Sequence, residues 1–168
     1  MSDVSVRAAT VADVDGIQRI ARRAWRATYG DFLAEAAIDA ILDDWYAAEE
    51  LEASITAEGS VYLVAEDEGI AGYASAAPID AEDDDREAQL YAIYVDPDRW
   101  GHGIGTALLD EIVDRLAKRD VEQLRIEVLA DNTVGVSFYE SRGFERTDER
   151  ERTVGDRTLP EYVYHQDL

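Results

Sequence analysis

The chain has 168 residues, is 46% hydrophobic, and carries 38 acidic against 16 basic residues for a formal net charge of −22. That size and apolar content suit one core-forming domain rather than a disordered chain, and the charge excludes the basic face a nucleic-acid binder needs. With no cysteine, disulfides and thiolate metal sites are excluded.

Residues 4–8 alternate weakly and predict a first strand. Thr10, followed by Asp13, marks a helix start with Thr10 as the cap. Ile17, Ile20, Ala21, Ala24 and Trp25 then recur at helical spacing and carry a first helix towards Tyr29 and Gly30. Ala37, Ile38, Ile41, Leu42 and Trp45 repeat that pattern in a second helix, and Leu51 with Ile55 predicts a third. The period changes at residues 61–66 and 70–77, which read as strands joined in a hairpin by Asp67-Glu68-Gly69. Residues 80–86 form an acid-rich loop, read as solvated surface.

Residues 89–95 predict the next strand, ended by Asp96 and Pro97. A glycine-rich turn leads into a helix over about 105–119, with Ala107, Leu108, Ile112, Val113 and Leu116 on its buried face. Residues 124–129 alternate through Leu124, Ile126 and Val128 as a strand. Asn132 opens another helix, which Gly143 closes as a C-cap. Residues 144–154 and 158–165 are the last strand candidates, separated by Gly155-Asp156. No repeat or linker interrupts the order, so residues 1–168 read as a single domain. No apolar run reaches membrane-spanning length, and two histidines (His102 and His165) give little basis for a metal site. The expectation is a cytoplasmic protein with no metal, nucleic-acid or membrane partner.

Trp100-Gly101-His102-Gly103-Ile104-Gly105 lies between a strand and a helix. Glycines there allow left-handed backbone angles that turn successive N–H groups inward. At a helix N-terminus such donors make an anion site, and a pyrophosphate fits it however acidic the rest of the chain. Glycines in such a turn equally serve close packing. Thr106 rather than lysine follows the last glycine, so the turn is not a Walker A loop. Its spacing and late position do not fit a dinucleotide fingerprint either.

As a block, Leu90-Tyr91-Ala92-Ile93-Tyr94-Val95-Asp96-Pro97-Asp98-Arg99 and the turn through Leu109 resembles the acetyl-CoA-binding strand–loop–helix of GNAT acetyltransferases. Asn132 to Phe144, an Asn opening a helix that carries Phe138-Tyr139 and ends in Gly143-Phe144, resembles the family's second region. Trp25-x-x-Thr28-Tyr29 is similar to a segment of many small-molecule acetyltransferases. The resemblance implies an α/β (α+β) fold with a central mixed twisted sheet of about six to seven strands, flanked by helices and splayed at the acetyl-CoA site.

It further implies that acetyl-CoA serves as acetyl donor, its pantetheine arm bonded to backbone around Ile93, Tyr94 and Val95. Trp100, Gly101, His102, Gly103, Ile104, Gly105 and Thr106 would hold the pyrophosphate. Asn132 would contact the pantetheine, and Tyr139 would point its hydroxyl at the sulfur. A neutral amine attacks the thioester, a strand N–H near Val95 stabilises the oxyanion, and the phenol protonates the thiolate as it departs. Three positions depart from the family pattern. Trp100 stands where Gln or Arg is usual, Ser137 where many relatives carry a basic residue, and Gln89 where an acid is frequent. The general base therefore falls to Glu127 or Tyr91, although Glu127 equally reads as a solvated or paired strand carboxylate. Trp25, Tyr29, Trp45, Tyr73 and Tyr91 are the candidates to line the acceptor site, although the first four read first as core aromatics. An acidic pocket there would suit a cationic small-molecule amine, a polyamine or a peptide N-terminus. The competing readings are a silent acyl-CoA sensor of the same fold and a plain nucleotide-phosphate binder. Pairing of two copies through the C-terminal strands is compatible with either.

Lys118 is the one lysine, and every other basic residue is arginine. Dense carboxylates with few long apolar stems give a halophile-like surface. Repulsion among the carboxylates reaches ~30 Å at 0.01 M salt but only ~3 Å at 1 M. Desalting is therefore expected to cost the protein its structure, and an unchanged circular-dichroism spectrum in dilute buffer would refute this.

Overall fold

The structure is a computed structural model describing residues 4–31, 33–79, 86–154 and 157–168. The elements are β1 (Ser5–Ala8), α1 (Val14–Tyr29), α2 (Glu35–Trp45), α3 (Ala48–Thr56), β2 (Val61–Glu66) and β3 (Ile70–Pro78). They continue as β4 (Glu87–Val95), α4 (Ile104–Ala117), β5 (Gln123–Leu129), α5 (Thr133–Ser141), β6 (Glu145–Val154) and β7 (Arg157–Asp167). The acid-rich stretch 80–85 and Gly155-Asp156 lie outside the described residues. The strands form one seven-stranded sheet in the order β1-β2-β3-β4-β5-β7-β6, antiparallel except for the parallel neighbours β4 and β5. The expected mixed sheet is thus what forms, with helices on both faces.

Strand periodicity makes the two layers. Along β2, Val61, Leu63 and Ala65 enter one core with Leu108, Ile112 and Leu116 of α4. The alternate residues Tyr62 and Val64 enter the other, with Ile17, Ile20 and Trp25 of α1. A strand covered on both faces reads as a continuous apolar run, as β2 does. At the far edge β6 is the reverse, rich in alternating acids and arginines. Charge of that kind blunts an exposed strand edge against addition of another strand.

The helix ends follow their residues. Thr10 caps a single 3-10 turn (Val11–Asp13), which runs into α1. Asp13 accepts from the Thr10 amide at 2.8 Å and from Arg7 at 2.8 and 2.9 Å. The Arg7 guanidinium holds this carboxyl below its usual range. After α5, Gly143 takes φ +88°, its N–H reaching Glu140 and that of Phe144 reaching Tyr139. This is a Schellman closure, and its usual apolar contact is the Phe144 ring 5.7 Å from Tyr139. The Gly-Phe pair therefore fixes the helix that carries Tyr139. Among the described residues no helix is long and apolar enough to cross a membrane.

Two irregularities open the sheet. A bulge between Ser75 and Ala76 pairs them with Ala92 and Leu90, leaving Tyr91 without a partner on β3. On the other side β4 pairs with β5 only from Glu87↔Gln123 to Leu90↔Ile126. Both strands run on, to Val95 and Leu129, without meeting. Unpaired backbone facing a gap is costly unless something else bonds to it.

Candidate active site

The gap between β4 and β5 opens into a cleft of about 740 Å³ that crosses the molecule from the glycine turn to the aromatic side of α1 and α2. The glycine turn forms its first end. Gly101 and Gly103 take φ +83° and +80°, and nothing lies within 4 Å of where a side chain would begin. Gly103 caps α4, so the amides of Ile104, Gly105 and Thr106 have no partner within the helix. Gly105 serves packing instead, because a Cβ there would sit 3.3 Å from the Phe138 ring. Gly101, Gly103, Ile104, Gly105 and Thr106 line the cleft, whereas His102 is exposed beside it. The Trp100 indole N–H turns back and donates to the Val95 carbonyl at 3.0 Å, closing the end of β4.

Arg142 was not singled out by the sequence. It stacks 3.8 Å from the Phe138 ring centroid and hydrogen-bonds the Thr106 hydroxyl, which places a guanidinium at the cradle that Ser137 does not supply. Its four-residue spacing from Phe138 was the available signal.

The middle of the cleft holds Asn132 and Tyr139. Asn132 accepts from the Gly135 amide at 2.9 Å and reaches Tyr29 Oη at 3.5 Å. Gly135 makes room for it, since a Cβ there would meet the Asn132 amide at 2.7 Å. Tyr139 is 8% exposed and lines the cleft. Burial, with a smaller contribution from Tyr29, pushes its phenol up, so it stays protonated across the ordinary pH range. No hydrogen bond to that hydroxyl exists among the described residues.

At the far end Trp25, Tyr29, Trp45, Tyr46 and Tyr94 line the wall, with Tyr29 and Tyr94 hydroxyls 2.9 Å apart. Ile93, Val95 and the exposed Tyr91 border it along β4. Tyr73 does not belong to this wall. It is fully buried behind it and donates to Tyr46 at 2.8 Å, because its place on β3 turns it into the α1 core. Nor is the cleft acidic. Its charged lining is Arg99, Arg142 and Arg152 against Glu127 and Glu161. Glu127 has Oε1 at 2.6 Å from Arg150 and 3.1 Å from Arg125, so its carboxylate is engaged in ion pairs. The sequence missed Glu161 and Arg152; their signal was two-residue alternation on strands whose pairing was unknown.

A mixed sheet parted between parallel neighbours, with unpaired helix amides at one end of the gap, has room for an elongated ligand and donors that suit an anionic end. The chain belongs to the GNAT acetyltransferase family: the family described as "Acetyltransferase (GNAT) family" matches residues 16–144. It is 27% identical over 150 residues to the spermidine N(1)-acetyltransferase of Thermoplasma acidophilum, covering 86% of this chain and 90% of that one. To the [ribosomal protein bS18]-alanine N-acetyltransferase of Escherichia coli K12 it is 48% identical over 58 residues, 34% of this chain and 39% of that enzyme. The fold is that of the PaiA N-acetyltransferase of Thermoplasma acidophilum, solved with coenzyme A, at a TM-score of 0.86 and 23% identity over 99% of each chain.

Proposed function

We propose that the protein is a cytoplasmic N-acetyltransferase that moves the acetyl group of acetyl-CoA to a primary amine of a small molecule or peptide in a ternary complex. The observation that carries this reading is the β4–β5 gap beyond Leu90↔Ile126, joined to unpaired α4 amides at one end and to an aromatic wall at the other. The pyrophosphate lies on the amides of Gly101 to Thr106, with the Arg142 guanidinium beside them. The pantetheine takes the place of a missing strand partner along Ile93, Tyr94 and Val95, which satisfies backbone groups the sheet leaves open.

In this reading the amine enters from the Trp25 and Tyr29 side. Its nitrogen bonds to the thioester carbon, a β4 amide near Val95 steadies the oxyanion, and the C–S bond breaks towards Tyr139. Glu127 takes the proton the amine gives up. The chain has no cysteine and the path needs none, because the acetyl group passes directly between substrates.

Free thiol release from acetyl-CoA in molar KCl, measured against a panel of amines, amino acids and peptides, tests the proposal. Acceptor-dependent release is the expected result. Folded protein that does not bind coenzyme A would overturn the assignment, and tight binding without turnover on any acceptor would favour a sensor.

A further inference from the structure

The far end of the cleft contains an ion network that the charge of the whole chain does not anticipate. One face of β5, β7 and β6 brings together Glu127, Glu161, Arg125, Arg150 and Arg152. Glu161 stands opposite Leu129 on β5 and Arg150 on β6, so all of these side chains point to the α1–α2 side of the sheet. Glu161 is 2% exposed, with Arg150 at 2.9 Å on Oε1 and Arg152 at 3.1 Å on Oε2. Glu127 is held by Arg150 at 2.6 Å, Arg125 at 3.1 Å and, more distantly, Arg152 at 3.7 Å. Three guanidinium groups thus share two carboxylates, and one positive charge is left over. Of the three, Arg152 lines the cleft, its guanidinium 5.4 Å from the ring of Trp45.

A polycation entering this end meets carboxylates that are already paired and a guanidinium group in excess. An anionic group meets the complement it lacks, in a partly buried place where salt screens less than at the surface. A guanidinium also offers a carboxylate two parallel N–H donors, more specific than a point charge. Beside it, Trp25 and Trp45 give an apolar wall. We propose that the acceptor is an amino acid with a large apolar side chain, its carboxylate received by Arg152 and its side chain packed on Trp25 and Trp45. This rests on the acetyl-transfer reading above and narrows it, since neither a polyamine nor a peptide N-terminus offers a carboxylate beside the reacting amine.

The test is a binding titration of the intact protein with coenzyme A in molar KCl, read by tryptophan fluorescence. The probes are L-phenylalanine, L-phenylalaninamide, phenylethylamine and spermidine. Phenylalanine is expected to bind at least about tenfold more tightly than the other three, the scale of losing a charge-assisted pair. Arg152→Gln should abolish that preference, while Arg152→Lys restores part of it. Arg150 still holds Glu161 in both variants, and unchanged circular dichroism confirms that they fold. Equal or tighter binding of the amide, the amine or spermidine overturns the inference. So does a preference that survives in Arg152→Gln, or failure of all four probes to bind. Thiol release is followed in parallel. The expected preference without any release leaves the carboxylate site at Arg152 standing and removes the transfer reading instead.

Discussion

Tyr139→Phe is expected to lower kcat for acetyl transfer by about 10²- to 10³-fold, the loss typical of one preorganised donor to developing charge. The phenol lies in the cleft without a protein partner, and burial keeps it protonated. A thiolate leaving group has a reference pKa of about 8.5, well below that of this phenol. Full proton transfer from Tyr139 to sulfur is therefore uphill. What the side chain offers is a hydrogen bond that strengthens as the C–S bond breaks. Such an interaction belongs to the transition state, so kcat and kcat/KM should fall together while coenzyme A affinity stays the same. The variant should fold as well as the parent, because removing an unpartnered buried hydroxyl leaves no orphaned group behind. A kcat within twofold of the parent would remove Tyr139 from the mechanism.

The second large effect is alkaline unfolding. Tyr29, Tyr46, Tyr62, Tyr73, Tyr94 and Tyr139 all have phenols pushed up, in each case chiefly by burial, with Tyr46 at about 12. In the unfolded chain they ionise near 10. Below that pH both states hold the same protons and the shifts leave stability unchanged. Above it the unfolded chain loses protons that the folded chain keeps, so stability falls as pH rises towards the folded values. Each such group removes up to about 1.4 kcal/mol per pH unit until its folded value is passed, so together they erode a stability of about 5–15 kcal/mol as pH climbs above 10. The tyrosinate absorbance of these six buried residues should appear together with the loss of circular dichroism, in one cooperative step. Ionisation of these six near pH 10 with the dichroism intact would contradict this.

The buried tyrosines that set this limit also show how differently the fold and the site are written in the sequence. The helix and strand periods of residues 14–29, 61–66 and 123–129 emerge as elements close to their expected bounds. Each is a local pattern, in which burial of one face or alternate residues selects helix or strand. The glycine turn and the Asn132-to-Phe144 helix were equally legible. Positive φ at Gly101, Gly103 and Gly143, and room for the Asn132 side chain over Gly135, are demands that a single residue type meets.

What the sequence could not determine depends on which strands become neighbours. Tyr73 read as either a core or a cleft residue, and the β2–β3–β4 pairing puts it in the core behind Tyr46. The net charge of −22 suggested an acidic acceptor pocket, because composition counts charges without placing them. Only the β5–β7–β6 ladder, joining residues up to 44 positions apart, collects Arg125, Arg150 and Arg152 around Glu127 and Glu161. Local preferences decide backbone conformation over a few residues. The chemical character of the cleft is set by long-range pairing, which no local period encodes.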